Sequence, residues 1–290
     1  MSKRKKIALL SLSIPAFLLI FIFMIVPLGN AVRVSFFKWN GYSQHMSFVG
    51  GENYLSLFTD DVFWRSTINT FVYGFGSTIL QNIFGLSAAL FVNRKFKGRN
   101  FLRAVLYMPI MISGVIMGAI MYYIFNYENG VLNNLLNLFG ISNIYWMGDG
   151  VRAVIIITLI NSWQTMGFCM LIYLAGLQNI PKVYKEAALL DGASKIQAFF
   201  KVDLPLLMPA VTTAVITNLI GGLKLYDIIV TLTNGGPNRK SLSLSYYISL
   251  LYFNDEKAGY SSAVGVALFV IIFLVAVPIN QFLRHREVEY

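Results

Sequence analysis

Six stretches of this chain are each long and apolar enough to cross a lipid bilayer, and that leaves few ways to fold. They run over about 7–28, 68–92, 102–125, 153–177, 206–232 and 262–282, against the roughly 20 residues that a spanning helix requires. Inside hydrocarbon, backbone polar groups must pair within their own segment, so runs of this kind become helices. The expected fold class is an all-α integral membrane protein with six transmembrane helices. A 290-residue chain that is 57% hydrophobic and only 12% charged fits no ordinary soluble domain. A single Cys excludes a disulfide framework or a cysteine-built metal cluster within the chain.

The net charge of +10 belongs to membrane topology rather than to nucleic acid, because the basic residues are unevenly placed. With the N-terminus inside, the cytoplasmic side collects Lys3, Arg4, Lys5, Lys6, the cluster from Arg94 to Arg103, Lys182, Lys185, Lys195, Lys201, Arg284 and Arg286. The outer loops hold Arg33, Lys38, Arg65, Arg152, Arg239, Lys240 and Lys257. Both termini and the loop 178–205 are therefore expected in the cytoplasm, with a basic tail over 1–6 and a membrane domain over 7–290. The first run has a basic start, but its apolar core is too long for a cleaved leader and no small-x-small site follows it, so it is expected to remain as an anchor.

The loop 178–205 is the longest polar break on the cytoplasmic side, and its residues spell two short helices. Asn179 is a candidate cap for the first, with Pro181 in its opening turn. Asp191-Gly192 ends that helix, since glycine accepts a left-handed exit. Ser194 with Gln197 forms a capping box that starts the second, and Pro205 and Pro209 reset the chain at the next apolar run. The small residues Ala187, Ala188 and Gly192 would let another protein approach the backbone closely.

Polar groups inside the spans mark further places of interest. Pro109 in the third run predicts a kink whose freed carbonyl a neighbour satisfies, and Gly114-x-x-x-Gly118 is a close-contact spacing. In the fourth, Asn161, Gln164, Thr165 and Phe168 fall at i, i+3, i+4 and i+7, on one helical face. That face is either interhelical glue or the wall of a hydrated cavity. The fifth run carries Asn218, Gly221, Gly222, Lys224 and Asp227. Lys224 and Asp227, three apart, can pair; they mark either a pathway or the outer headgroup level. A Gly235-Gly236-Pro237 turn follows on the outer side. The outer loop 126–152 has an apolar stripe at Val131, Leu132, Leu135, Leu136 and Leu138, expected as a short surface helix. With only His45 and His285, on opposite sides, and no clustered carboxylates in the spans, no catalytic constellation is present in the sequence.

Several of these motifs together resemble a known family. Glu186-Ala187-Ala188, Gly192, Val202 and Leu204-Pro205 have the spacing of the EAA loop of ABC importer permeases. The turn LTNGGP (232–237), the Asn161-Ser162-Trp163 start of the polar stripe, FVGGENY…NT (48–70) and the Gly130, Asn133, Gly140, Trp146 arrangement resemble the carbohydrate-uptake branch, of maltose and multiple-sugar type. The resemblance covers nearly the whole chain. It implies a type I importer permease in a bacterial cell (inner) membrane, with Glu186, Ala187, Ala188, Asp191, Gly192, Leu204 and Pro205 coupling to an ATPase dimer that binds ATP and Mg; this chain would bind neither. It implies a second homologous permease, a solute-binding protein outside and a sugar substrate, with contacts at Asn161, Gln164, Thr165, Phe168, Asn218, Gly221, Gly222 and Leu225, and Lys224 with Asp227 as a gate. The same loop would also suit a permease for an amino acid, phosphate or a polyol.

Overall fold

The computed structural model describes residues 13–288; the basic tail over 1–6 and the start of the first run lie outside them. The described chain is almost wholly helical, apart from a two-residue hairpin, β1 (Phe37–Lys38) against β2 (Ser47–Phe48). In order the helices are α1 (Ser13–Val34), α2 (Glu52–Thr59), α3 (Asp61–Val92), α4 (Arg99–Met111), α5 (Gly114–Phe125), α6 (Val131–Leu138), α7 (Gly150–Asn179), α8 (Lys182–Leu190), α9 (Lys195–Leu206), α10 (Met208–Leu223), α11 (Asp227–Leu232), α12 (Leu244–Phe253) and α13 (Ala258–Arg284). Four of these, α1, α3, α7 and α13, are each long and apolar enough to cross a membrane; the count reaches six if each of two bent pairs is one span.

The chain divides into two compact units. The first takes residues up to Asp60 together with Tyr247–Phe269. Its loop is tied by side chains: Asn53 Nδ2 donates to the carbonyls of Ser35 and Phe37, and the buried Ser35 hydroxyl bonds Tyr54 Oη at 2.6 Å. Asp60 accepts from Tyr247 and Tyr260, each at 2.6 Å. The Gly-Glu-Asn-Tyr stretch therefore serves the hairpin. Gly50 is needed for its φ of +57°, whereas Gly51 has ordinary φ and open space, so a larger residue would fit there.

In the second unit, Asp61–Tyr246 with Val270–Tyr290, α3 lies along α7, and the two with α10 bury Ala89, Val92, Cys169, Met170, Tyr173, Leu207 and Ala214. Glycines set how closely these helices approach. A Cβ on Gly85 would come within 2.7 Å of Cys169 Cβ, one on Gly176 within 2.7 Å of Ala210 Cβ, and one on Gly167 would collide with the Leu106 carbonyl. The spacing Gly114-x-x-x-Gly118 is used: a Cβ at either position would run into α11, at Asp227 and Thr231 respectively.

Two expected single spans are broken. The third run bends by 95° between α4 and α5. Pro109 sits in a tight turn over Met108–Met111, Ile112 is extended, and Ser113 restarts the helix by accepting from the Ile116 N–H. The kink expected at Pro109 is there, as a full break. The fifth run bends by 68° at Leu207, between Pro205 and Pro209, and ends at Leu223 rather than Leu232. Lys224 closes α10, and three residues later the chain resumes as α11, turned so that Ile228 and Thr231 pack on Gly118. Lys224 and Asp227 thus do not share a helix; both are exposed and they form no ion pair with each other, which corrects the expected pairing.

The Leu232–Pro237 stretch is a turn, as its glycines require. Asn234 and Gly235 have φ of +50° and +75°. Ser241 Oγ donates to the Gly236 carbonyl at 2.6 Å, and Tyr246 Oη donates to Asn234 Oδ1. Burial, and after it the neighbouring Tyr226, hold the Tyr246 phenol above its usual range, so it remains a donor.

Gly167 is the tightest crossing between α7 and the α4 end, where backbone rather than a movable side chain opposes any added atom. Gly167→Val should therefore cost about 1–3 kcal/mol by overpacking and lower the thermal midpoint of the purified protein. An unchanged midpoint would contradict this crossing.

Candidate functional site

The segment 178–205 folds by its own hydrogen bonds. α8 ends as its sequence dictates: the Gly192 N–H donates to the Leu189 carbonyl at 3.1 Å and the Ala193 N–H to the Ala188 carbonyl at 3.0 Å, with Gly192 at φ +85°. Ser194 then opens α9 with both arms of a capping box, Ser194 N–H to Gln197 Oε1 at 2.9 Å and Gln197 N–H to Ser194 Oγ at 3.2 Å. One expectation fails at the start. Pro181, not Asn179, occupies the cap position of α8, because α7 runs on through Asn179.

This helix pair is presented outward. Glu186, Ala187, Asp191 and Gly192 are exposed, Ala188 is half-buried, and no described residue of α8 is buried. Leu190 is 88% exposed and Ile196 71%, with Val183 and Tyr184 also in the open. Apolar side chains so placed on a polar loop mark a surface meant to be covered. Sequence reasoning picked the small and charged residues here and missed these apolar ones; their one signal was an apolar residue at 183, 190 and 196 in a segment with no core to join. Leu204 and Pro205 are half-buried at the α9 end. A cavity of about 810 Å3 borders the pair, lined by Leu90, Arg94, Leu177, Lys195 and Phe199 among others.

Within the spans, the residues matched to substrate contacts divide. Asn161 is buried, yet its side-chain amide makes no hydrogen bond among the described residues; only its carbonyl is used, by Thr165 Oγ1 at 2.7 Å and Gln81 Nε2 at 3.4 Å. Thr165 and Phe168 are half-buried, and Gly221 faces open space. Three of the other four have structural work. Gln164 Nε2 donates to the Ile112 carbonyl at 2.8 Å, capping the break between α4 and α5. Gly222 does not leave room for a ligand: a Cβ there would lie 2.8 Å from the Tyr73 carbonyl and 2.9 Å from Gly74 Cα. Leu225 is buried, and its carbonyl accepts from Ser243 Oγ at 2.6 Å. Asn218 is buried with its Nδ2 unpartnered.

Sequence reasoning also missed a half-buried polar group, Asn82, between α3 and α7. Asn82 Oδ1 accepts from Tyr173 Oη at 2.5 Å and from Cys169 Sγ at 3.7 Å, while its Nδ2 donates to the Thr78 carbonyl at 2.7 Å. An Asn and a Tyr in otherwise apolar runs were the available signal.

Comparison with known proteins bears on both regions. The model for binding-protein-dependent transport system inner membrane components matches residues 81–286. The trehalose/maltose transport system permease protein of Thermococcus litoralis is 34% identical over 274 residues, covering 93% of this chain and 92% of that protein. The sulfoquinovosyl glycerol transport system permease protein of Agrobacterium fabrum is 34% identical over 274 residues, covering 94% and 89%. Among solved structures, a bacterial ABC transporter involved in import of the acidic polysaccharide alginate superposes with a TM-score of 0.82 at 22% identity, over 97% of this chain and 96% of that one.

The capping box predicts a measurable local effect. Ser194→Ala should cost about 1 kcal/mol at the α9 start, speeding amide exchange over 195–198 by about fivefold, with exchange in α7 unchanged. Equal protection in the variant would show that the cap does not hold this turn.

Proposed function

The chain belongs to the family of binding-protein-dependent transport system inner membrane components, and from that premise we propose that it is one permease subunit of an ATP-driven sugar importer in the bacterial cell membrane. Whole-length similarity to permeases of a trehalose/maltose and a sulfoquinovosyl glycerol system supports a sugar as substrate. In this reading each bent pair is one span, giving six, with both termini and the α8–α9 segment in the cytoplasm. A second, homologous permease supplies the facing wall, and a solute-binding protein delivers the sugar from outside.

Energy enters through α8 and α9. The sequence has no phosphate-binding loop, so ATP and Mg are held by a separate ATPase dimer. The observation that carries this assignment is the exposed surface at Glu186, Leu190 and Ile196 on a segment folded without a core of its own. Glu186 would accept a charge-assisted hydrogen bond, worth about 1.5–3 kcal/mol, and Leu190 would fill a partner pocket. Gly192 and Asp191 give the turn its shape, and Leu204-Pro205 pass the motion into the α9–α10 bend.

In the membrane, the sugar would meet Asn161, Thr165 and Phe168 on α7 and the open backbone at Gly221 on α10. An unpartnered amide can bond hydroxyls, and an aromatic face can stack on a sugar ring. Gln164 would support that wall from behind, and Asn218 would complete it. Lys224 and Asp227, exposed and unpaired with each other, would line the pathway as separate charges.

Two measurements test the two halves. Leu190→Glu, at a fully solvated position, should abolish co-purification with the ATPase while the permease pair remains intact; normal co-purification and transport would refute the docking assignment. Asn161→Ala should weaken sugar uptake by the equivalent of about 1–3 kcal/mol in a complex that still assembles, and wild-type uptake would place the pathway elsewhere.

A further inference from the structure

A second cavity lies away from the polar stripe, at the far end of α5. It encloses about 440 Å3, walled by Tyr122 of α5, Tyr127 and Glu128 of the following loop, Tyr145, and the Thr233–Pro237 turn. The three tyrosines are 48%, 47% and 64% exposed, and their phenols have no hydrogen-bond partner among the described residues. Tyr127 and Tyr145 meet edge to face at 5.6 Å.

The rings are open, but the segments that carry them are fixed. Asn133 of α6 is wholly buried beneath them. Its Nδ2 donates to the carbonyls of Tyr127 and Ile144, each at 3.0 Å, and its Oδ1 accepts from the Ile144 N–H at 3.1 Å and Trp146 Nε1 at 3.0 Å. Asn143 Nδ2 adds a second bond to the Tyr127 carbonyl at 2.8 Å. A Cβ on Gly148 would run into the Tyr145 ring, so that glycine clears the ring's seat. One buried amide thus holds two half-exposed tyrosines in a set relation, which is the arrangement of a preorganised binding site.

The lining contains one carboxylate, Glu128, and no Lys, Arg or His. The nearby Arg152 guanidinium donates to the Tyr145 carbonyl at 3.3 Å, which leaves Glu128 as the charge in the lining and disfavours an anionic ligand, whereas phenols and a carboxylate suit hydroxyl groups, and ring faces suit the apolar face of a sugar. We propose that this cavity is an outer subsite for an uncharged saccharide unit, and that the imported sugar is therefore neutral. The inference rests on the sugar-permease reading, which puts the Thr233–Pro237 turn on the outer side. α5 has twelve residues, roughly 18 Å at 1.5 Å per residue, and its other end meets the Ile112 carbonyl held by Gln164. The subsite and the polar stripe are therefore linked by one helix.

The test uses the complete importer, with its partner permease, ATPase and binding protein, in lipid nanodiscs. Saturation-transfer NMR on the complex without binding protein would probe maltotriose, cellotriose and raffinose against the anionic trigalacturonate. At least one neutral trisaccharide should show transfer, reduced at least fivefold in Tyr127→Ala/Tyr145→Ala and reduced less in the corresponding double Phe variant, which keeps the ring faces but loses the hydroxyls, with none for trigalacturonate. Glu128→Gln, an exposed change that spares the fold, should admit trigalacturonate. No transfer from any neutral probe, transfer indifferent to ring removal, or trigalacturonate binding equal to the neutral sugars would each overturn the proposal. So would a ring-removal effect confined to binding-protein docking, which would assign the rings to a partner's side chain. Radiolabelled uptake separates the two levels. Sugar uptake with an unchanged KM in the double alanine variant removes this subsite alone, while an unaltered importer that takes up no sugar removes the reading beneath it.

Discussion

A backbone inside hydrocarbon must find its hydrogen bonds within the protein, and the second unit is arranged around the places where its helices fail to provide them. Where α4 gives way to α5, the Ile112 carbonyl receives Gln164 Nε2 from α7. Where α10 gives way to α11, the Leu225 carbonyl receives Ser243 Oγ. The irregular stretch before α12 is held the same way from α3: Asn69 Nδ2 bonds the Lys240 and Leu242 carbonyls, Tyr73 Oη bonds that of Ser241, and Thr70 Oγ1 accepts from the Leu244 N–H. Each of these three stretches is thus paired to a polar side chain from another part of the chain. The breaks are what allow α5 and α11 to lie together, with Gly114 and Gly118 against Asp227 and Thr231.

This explains which parts of the site were legible in the sequence. Period and composition disclose helices, and the polar face of α7 could be read from its spacing. Whether an amide on that face serves a ligand or a neighbouring carbonyl depends on where the neighbouring chain breaks. Gln164 and Asn161 share a face and a side-chain type, yet one is committed to Ile112 and the other has a free amide. Gly221 and Gly222 are equally ambiguous. The first faces open space and the second meets the backbone of Tyr73 and Gly74, a difference of 100° around α10 that no local rule announces. Pro109 predicted a kink but could not give its size, because the bend is set by what α5 packs against.

The helix pair α8–α9 was the most legible part for the opposite reason. Its structure depends on contacts three to five residues apart, through the Gly192 exit and the Ser194–Gln197 box, so the sequence contains nearly all of its determinants. The one misplaced cap, Asn179, lay where α7 rather than the loop decides the helix boundary. What the local pattern could not reveal was exposure, since an apolar residue at 190 reads as core until a structure shows nothing packed on it.

Local closure of this kind has a mechanical consequence. A segment whose shape is fixed by its own caps moves as a unit when a partner seizes it, and does not dissipate the motion by unfolding. Its connection onward is made of less regular backbone: a widened helical turn over Phe199–Asp203, then the 68° bend at Leu207 between two prolines. Beyond the bend, Leu207 and Ala214 sit in the core against α7, and Gly176 lets α7 approach to within contact of Ala210. In the proposed function, displacement of α8–α9 would reach α10 through this bend, and α10 carries both Gly222, locked onto α3, and Gly221, facing open space. Under the proposed function, motion delivered at this loop would be directed at the helix that borders the proposed sugar path.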